Sequence, residues 1–319
     1  MQIKVLREGE KIIELKLLTS YNMRYYKTVS VYKGKMKSSR IYIIFLTVVF
    51  LLTGTGVFAA QKLLESVFSR SMKKSIPALV VLPDSYQNSA EIFPVVYLLH
   101  GAGDDENAWV NRTSVMELAD LYNTVFVCPS AGRTSWYFDS PIDPEYQYET
   151  FVSSELVSFI DGKFRTVKNR SGRGIAGNSM GGHGALFLAI RHRDVYSAAA
   201  SMSGGVDIRP FPERWDIKKR IGSIKDYPER WDALTVINLA DTISDGNIVI
   251  SIDCGADDFF LGVNRALHEK LVSKRISHEY MERPGRHNWN YWDKSLKLQM
   301  EFFKKNFSRG FKKPPLTPP

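Results

Sequence analysis

The sequence predicts an α/β fold: a mostly parallel central sheet flanked by helices on both faces, with a small insertion over the strand ends. Three observations predict it. Several short runs are apolar at nearly every position, the pattern of strands buried on both faces. Helical patterns separate these runs. Polar clusters stand just past the runs, at the carboxyl ends where open α/β sheets bind ligands.

The N-terminal region is distinct from the rest. Residues 1–40 hold ten Lys/Arg and three Glu, and residues 41–59 hold no charge. Met36-Lys37-Ser38-Ser39-Arg40 precedes an apolar run over 41–52, which Val57-Phe58-Ala59 closes. Basic, apolar and small-residue segments in that order predict a signal peptide over 36–59. The competing reading is an uncleaved membrane anchor with the basic residues on the cytoplasmic side. A signal peptide implies translation from Met36 and makes 1–35 an upstream extension. Both readings place the domain from about residue 60 outside the cytoplasm. No Cys stands directly after the apolar core, so a lipid-modified N-terminus is not expected.

The 319-residue length suits one large domain or two small ones, and 44% hydrophobic residues make it globular. The net charge of +9 invites a nucleic-acid reading. Its distribution removes it: of 43 Lys/Arg and 34 Asp/Glu, 33 and 31 lie beyond residue 59. That near-balance gives the main domain, 60–311, no electrostatic case for nucleic acid.

Within that domain the elements follow in order. Ile76–Leu82 is a β-branched run ended by Pro83-Asp84. Phe93–Leu99 is a continuous apolar strand that runs into His100-Gly101-Ala102-Gly103. Thr124–Cys128 is another, stopped by Pro129. Thr150–Phe164 has Phe151, Leu156, Phe159 and Ile160 at helical spacing. Residues 172–178 form a strand before Ser179, and Gly184–Ile190 is helix-prone. Tyr196–Met202 leads to Ser203-Gly204-Gly205. Residues 206–246 break the alternation; rich in Pro, Arg, Trp and Asp, they read as a cap-like insertion or a surface excursion, with Pro228–Ala240 a candidate helix. Asn247–Asp253 is a strand, Asn264–Val272 a helix, His278–Glu282 a strand and Lys294–Phe307 a helix. The tail at 312–319, with four prolines, is expected to be disordered.

The chemistry centres on Gly177-Asn178-Ser179-Met180-Gly181-Gly182. This G-x-S-x-G pattern has a strand before it and a helix after it. A serine that attacks a carbonyl must be lifted clear of the sheet on a tight strand-to-helix turn, between residues nearly free of side chain. The helix start then aims unpaired N–H groups at a developing oxyanion. A serine nucleophile needs a base and an orienting acid, which in this arrangement follow in the order Ser, Asp or Glu, His.

Of the six histidines, His287 lies in the loop past the last strand and can reach back over the sheet, so it is the expected base. His183 is too close to Ser179 in sequence to take that role and reads as a packing residue. His100 has no second ligand cluster and reads as packed beneath its loop, so no metal and no cofactor is expected. The acid should follow the 247–253 strand. Asp258, three residues past Gly255 and before the apolar pair Phe259-Phe260, is preferred; Asp257 is the alternative, and Asp253 lies inside the strand. The oxyanion donors are expected to be the N–H groups of Met180 and of Ala102, with Gly101 the alternative to Ala102. Trp136, Tyr137, Trp289 and Trp292 could stack on a substrate ring or be core.

At these residues the chain resembles the putative-esterase family of α/β-hydrolases, which includes esterase D, tributyrin, feruloyl and acetyl-xylan esterases and the mycolyltransferases. The resemblance spans about 63–305. It is carried by Tyr97–Gly101, Ser135-Trp136-Tyr137, Gly177–Gly182, Cys254–Asp258 and Gly285–Trp289. It implies an α/β-hydrolase fold with Ser179 as nucleophile, His287 as base and Asp258 as acid. The implied function is an exported serine carboxylesterase acting on short-chain or carbohydrate-linked esters, acetyl or feruloyl, of a small molecule or polysaccharide. An acyltransferase or an S-formylglutathione hydrolase-like thioesterase is the alternative within enzymes, and a non-catalytic carbohydrate- or partner-binding module the alternative outside them. The implied strand order puts three strands between those bearing Cys128 and Cys254, so both are expected to be free thiols.

Overall fold

The computed structural model describes residues 2–7, 12–18 and 28–32, and the chain from 59 to 310. The expected signal or anchor segment, save Ala59, and the expected disordered tail lie outside the described residues. The chain divides into two units, Met1–Phe58 and Ala59–Pro319. In the first, strands β1 (Gln2–Arg7), β2 (Ile12–Leu18) and β3 (Thr28–Tyr32) form an antiparallel sheet in sequence order.

The second unit is built on eight strands: β4 (Gln61–Ser69), β5 (Lys74–Leu82), β6 (Val95–Leu99), β7 (Val125–Pro129), β8 (Arg173–Asn178), β9 (Ala198–Met202), β10 (Val249–Gly255) and β11 (His278–Arg283). Their order across the sheet is β11-β10-β9-β8-β6-β7-β5-β4. The five pairings from β11 to β7 are parallel, and only β5–β7 and β4–β5 are antiparallel. Every residue of β6, β7, β8 and β9 is buried, with polar side chains only at Arg173, Asn178 and Ser201.

Successive side chains on these strands point to opposite faces. Val95, Tyr97, Leu99, Val127 and Ile175 face the helices Leu156–Lys163, Met180–Arg191 and Leu261–Ser273. Val96, Leu98, Phe126 and Ala176 face Val115–Tyr122 and Trp289–Gly310. Each large aliphatic side chain buried this way contributes roughly 1.5–3 kcal/mol.

Three expectations need correction. Strand β4 was not expected: on this sheet edge only Val67 and Ser69 are buried, so its pattern lacks the apolar run of the inner strands. The helix expected at 150–164 starts at Tyr148 and carries a π-helical turn over Phe151–Glu155. The helix expected over 228–240 is two, Pro228–Leu234 and Val236–Leu239, because Thr235 adopts extended backbone angles. The 206–246 segment contributes Val206, Ile208, Ile217, Ile221 and Trp231 to the main core, so it folds with the domain.

Cys128 on β7 and Cys254 on β10 are free and buried. Strands β9, β8 and β6 stand between them; at about 4.8 Å per strand step the sulfurs cannot approach bonding distance. Burial raises both thiol pKa values, which holds them in the unreactive protonated form.

Candidate active site

Ser179 sits between β8 and the helix Met180–Arg191 with φ 57° and ψ −119°. A non-glycine residue in such a conformation costs on the order of 1–3 kcal/mol and persists only where its surroundings enforce it. Here they do. Its N–H donates to Met202 O at 3.0 Å, and its carbonyl accepts from His183 N (3.1 Å) and Gly205 N (3.3 Å). Backbone packs directly on backbone around it. A Cβ on Gly181 would lie 2.1 Å from Leu99 O, and one on Gly177 would lie 2.3 Å from Gly181 O. The glycines of the motif are therefore required by close approach.

Ser179 Oγ lies 2.9 Å from His287 Nε2, and His287 Nδ1 lies 2.9 and 3.0 Å from the two carboxylate oxygens of Asp258. The carboxylate sets the tautomer: Nδ1–H donates to Asp258, which leaves Nε2 to accept the serine proton. The Asp258 side chain is fully buried, and its Oδ1 also accepts the Phe260 N–H at 2.8 Å. Asp257, the alternative, is exposed, and its N–H donates to Gly285 O. Asp253 is buried and accepts hydrogen bonds from Arg283, Tyr291 and Ser295 instead.

The His100–Gly103 loop passes beside the serine; a Cβ on Gly101 would come within 3.3 Å of Ser179 Cβ. His100 is buried and pins this loop. Its Nδ1 bonds to Gly101 O at 2.8 Å, its Nε2 accepts the Ala131 N–H at 3.0 Å, and Tyr137 OH donates to His100 O at 3.1 Å. Burial lowers the His100 pKa, which favours the neutral ring this pattern needs. Gly103 and Asp104 N–H groups are used within the protein, whereas those of Gly101 and Ala102 show no loop or turn acceptor among the described residues. Met180, the first helical residue, has no intrahelical acceptor for its own N–H. The Met180 N–H directly follows the serine, and the loop backbone at Gly101 passes beside it.

His183 is buried, packs between Trp136, Phe138 and Phe187, and bonds Gly205 O through Nδ1 at 3.1 Å. Burial lowers its pKa to about 4. Trp136 and Tyr137, expected as possible substrate contacts, are 1% and 0% exposed and belong to the core. Trp136 Nε1 donates to Trp215 O, and Tyr137 holds the His100 loop. Trp292 is buried edge-on to the His287 ring. Trp289 is half-buried and packs edge-on against Trp109, with the Arg112 guanidinium 5.5 Å from its ring.

The aromatic beside the chemistry is Phe259, which in the sequence stands out only as half of the apolar pair after Asp258. Phe260 docks the loop in the core, but Phe259 is 56% exposed and its ring centre lies 4.2 Å from that of His287. Trp215, from the 206–246 segment, stacks on Phe259 at 5.9 Å. Alternation across the Asp258 turn was the available signal, since residue 260 turns inward and residue 259 outward.

A mostly parallel eight-stranded sheet with a strained serine between strand and helix, and its histidine and aspartate on later loops, defines the α/β-hydrolase fold. Solved structures agree. A ferulic acid esterase superposes with a TM-score of 0.69 at 27% identity, covering 78% of this chain and 99% of its own. An S-formylglutathione hydrolase from Agrobacterium tumefaciens shares the fold with a TM-score of 0.69 at 20% identity, covering 79% of this chain and 98% of its own. By sequence, an acetyl esterase of Caldicellulosiruptor saccharolyticus is 28% identical over 264 residues, 75% of this chain and 96% of that protein. The family described as "Putative esterase" matches residues 69–303, and the chain belongs to it. It is an enzyme, a serine hydrolase acting on carboxylic esters.

Proposed function

We propose that the protein is an exported carboxylesterase that cleaves acetyl, feruloyl or similar short acyl esters, including those carried on carbohydrate, through an acyl-serine intermediate on Ser179. The hydrogen-bonded chain Ser179–His287–Asp258 carries this reading. His287 Nε2 takes the Ser179 proton as Oγ attacks the ester carbonyl, and Asp258 stabilises the imidazolium that forms. The N–H groups of Ala102 and Met180 hold the oxyanion. His287 then gives its proton to the leaving alcohol, and water repeats the sequence to release the acid. The acyl range is supported by the acetyl and ferulic acid esterases it is similar to, and by the exposed Phe259 ring and its neighbour Trp215, which offer an aromatic wall beside His287.

Ser179→Ala is expected to lower kcat on p-nitrophenyl acetate by about 10⁴-fold or more. A folded variant with near-wild-type kcat refutes the assignment. Export rests on the segment at 36–59. N-terminal sequencing of the protein recovered outside the cytoplasm is expected to begin after Ala59; recovery only from the cytoplasm with its N-terminus intact refutes export.

A further inference from the structure

Strand β10 carries a second buried carboxyl group that the reaction does not use. Asp253 stands five residues before Asp258 and is fully buried. It accepts three side-chain hydrogen bonds, from Arg283 Nη2, Tyr291 OH and Ser295 Oγ. A buried carboxylate this well satisfied is a strong anchor, and removing one partner leaves charge uncompensated in a poorly solvating interior.

Two of the partners are placed symmetrically about His287. Arg283 ends β11 four residues before it, and Tyr291 lies in the first turn of the helix Trp289–Gly310 four residues after it. The Arg283 guanidinium also packs 4.7 Å from the Tyr291 ring centre, so the two ends of the loop are held to each other as well as to Asp253. On one side the loop is tied to the Asp258 turn by Ala256 N to Arg283 O (2.8 Å) and Asp257 N to Gly285 O (2.9 Å). Its other side borders an open pocket lined by Asp257, Arg286, Asn290 and Lys294. Phe259, Phe260 and Trp292 pack on the His287 ring itself, and Asp253 fixes where the two ends of its loop start and stop.

We propose that Asp253 is a positioning residue for His287, clamping both ends of the loop so that the imidazole meets Ser179 and Asp258 together. This rests on the reading of Ser179, His287 and Asp258 given above. Asparagine at 253 would turn an amide N–H toward donors that need an acceptor, and the loop ends would separate. A misplacement of about 1 Å at a catalytic group can cost on the order of 100-fold.

The test is a cycle of Asp253→Asn and Tyr291→Phe, each made in the wild-type enzyme and in His287→Ala, with p-nitrophenyl acetate as substrate. In the wild-type background Asp253→Asn is expected to lower kcat about 10- to 100-fold with KM within about threefold, and Tyr291→Phe about 3- to 10-fold. In the His287→Ala background neither is expected to change the residual rate more than about twofold, because their effect runs through the missing imidazole. The same factor in both backgrounds, or a folded Asp253→Asn with unchanged kcat, overturns the proposal. If Asp253→Asn does not fold, Tyr291→Phe, which keeps the ring and its packing, decides by the same comparison. Near-wild-type kcat in His287→Ala alone would instead refute the catalytic reading on which the proposal rests.

Discussion

The Ser179 turn and the His287 loop bring their side chains to one point by opposite means. At the turn, backbone rests on backbone: Gly177, Gly181 and Leu99 leave no room for a Cβ, and a strained residue is held by hydrogen bonds of its own main chain. At the loop, side chains do the holding: the Asp258 carboxylate, the rings of Phe259, Phe260 and Trp292, and the anchors at Arg283 and Tyr291. The contrast follows from chemistry. A nucleophile must keep a fixed approach line to the carbonyl, whereas a base exchanges protons with two partners in turn and needs a fixed tautomer and orientation. Substitutions at the glycines of the turn should therefore act at the level of folding, and those at the loop at the level of turnover.

The largest expected effect tests the turn. Gly181→Val places branched carbon against Leu99 O and His100 O, which backbone cannot clear, and is expected to cost about 4 kcal/mol or more. Chemical denaturation, or loss of soluble protein, measures it; near-wild-type stability would mean that the turn is looser than its contacts indicate. Asp258→Asn tests the loop next. It keeps the shape but favours the wrong tautomer, so kcat is expected to fall about 10³- to 10⁴-fold with little change in melting temperature. A loss of stability in proportion to the lost activity would erase the distinction between the two regions. The smallest effect belongs to Phe259→Ala. Its exposed ring contributes little to folding, within about 0.5 kcal/mol. The ratio of kcat/KM for feruloyl over acetyl esters is expected to fall by roughly 3- to 10-fold, corresponding to about 1 kcal/mol of ring contact. An unchanged ratio would remove Phe259 from the substrate wall.

Legibility from sequence varied in the same way. The inner strands were readable because residues buried on both faces must be apolar throughout; β4 was not, because it lies on the sheet edge with most of its side chains in solvent. Trp136 and Tyr137 show a second limit. Both lie near the strand ends, and a large amphipathic ring suits a binding surface or a core equally well. Their burial follows from packing against Met180, His183, Gly184 and Gly205, residues remote in sequence.

By itself the sequence determined the serine turn, the order of nucleophile, acid and base, and the alternation of strand and helix, because each is written in local spacing: glycines where backbone must touch, apolar runs where both faces are buried, a turn after each strand. Only the tertiary structure decided which of the aspartates on and just after β10 bonds His287 and which bonds the ends of its loop, that Phe259 rather than Trp136 faces outward, and that His100 braces the loop carrying Ala102. Those outcomes depend on the order β11-β10-β9-β8-β6, which brings side chains together from segments far apart in the chain.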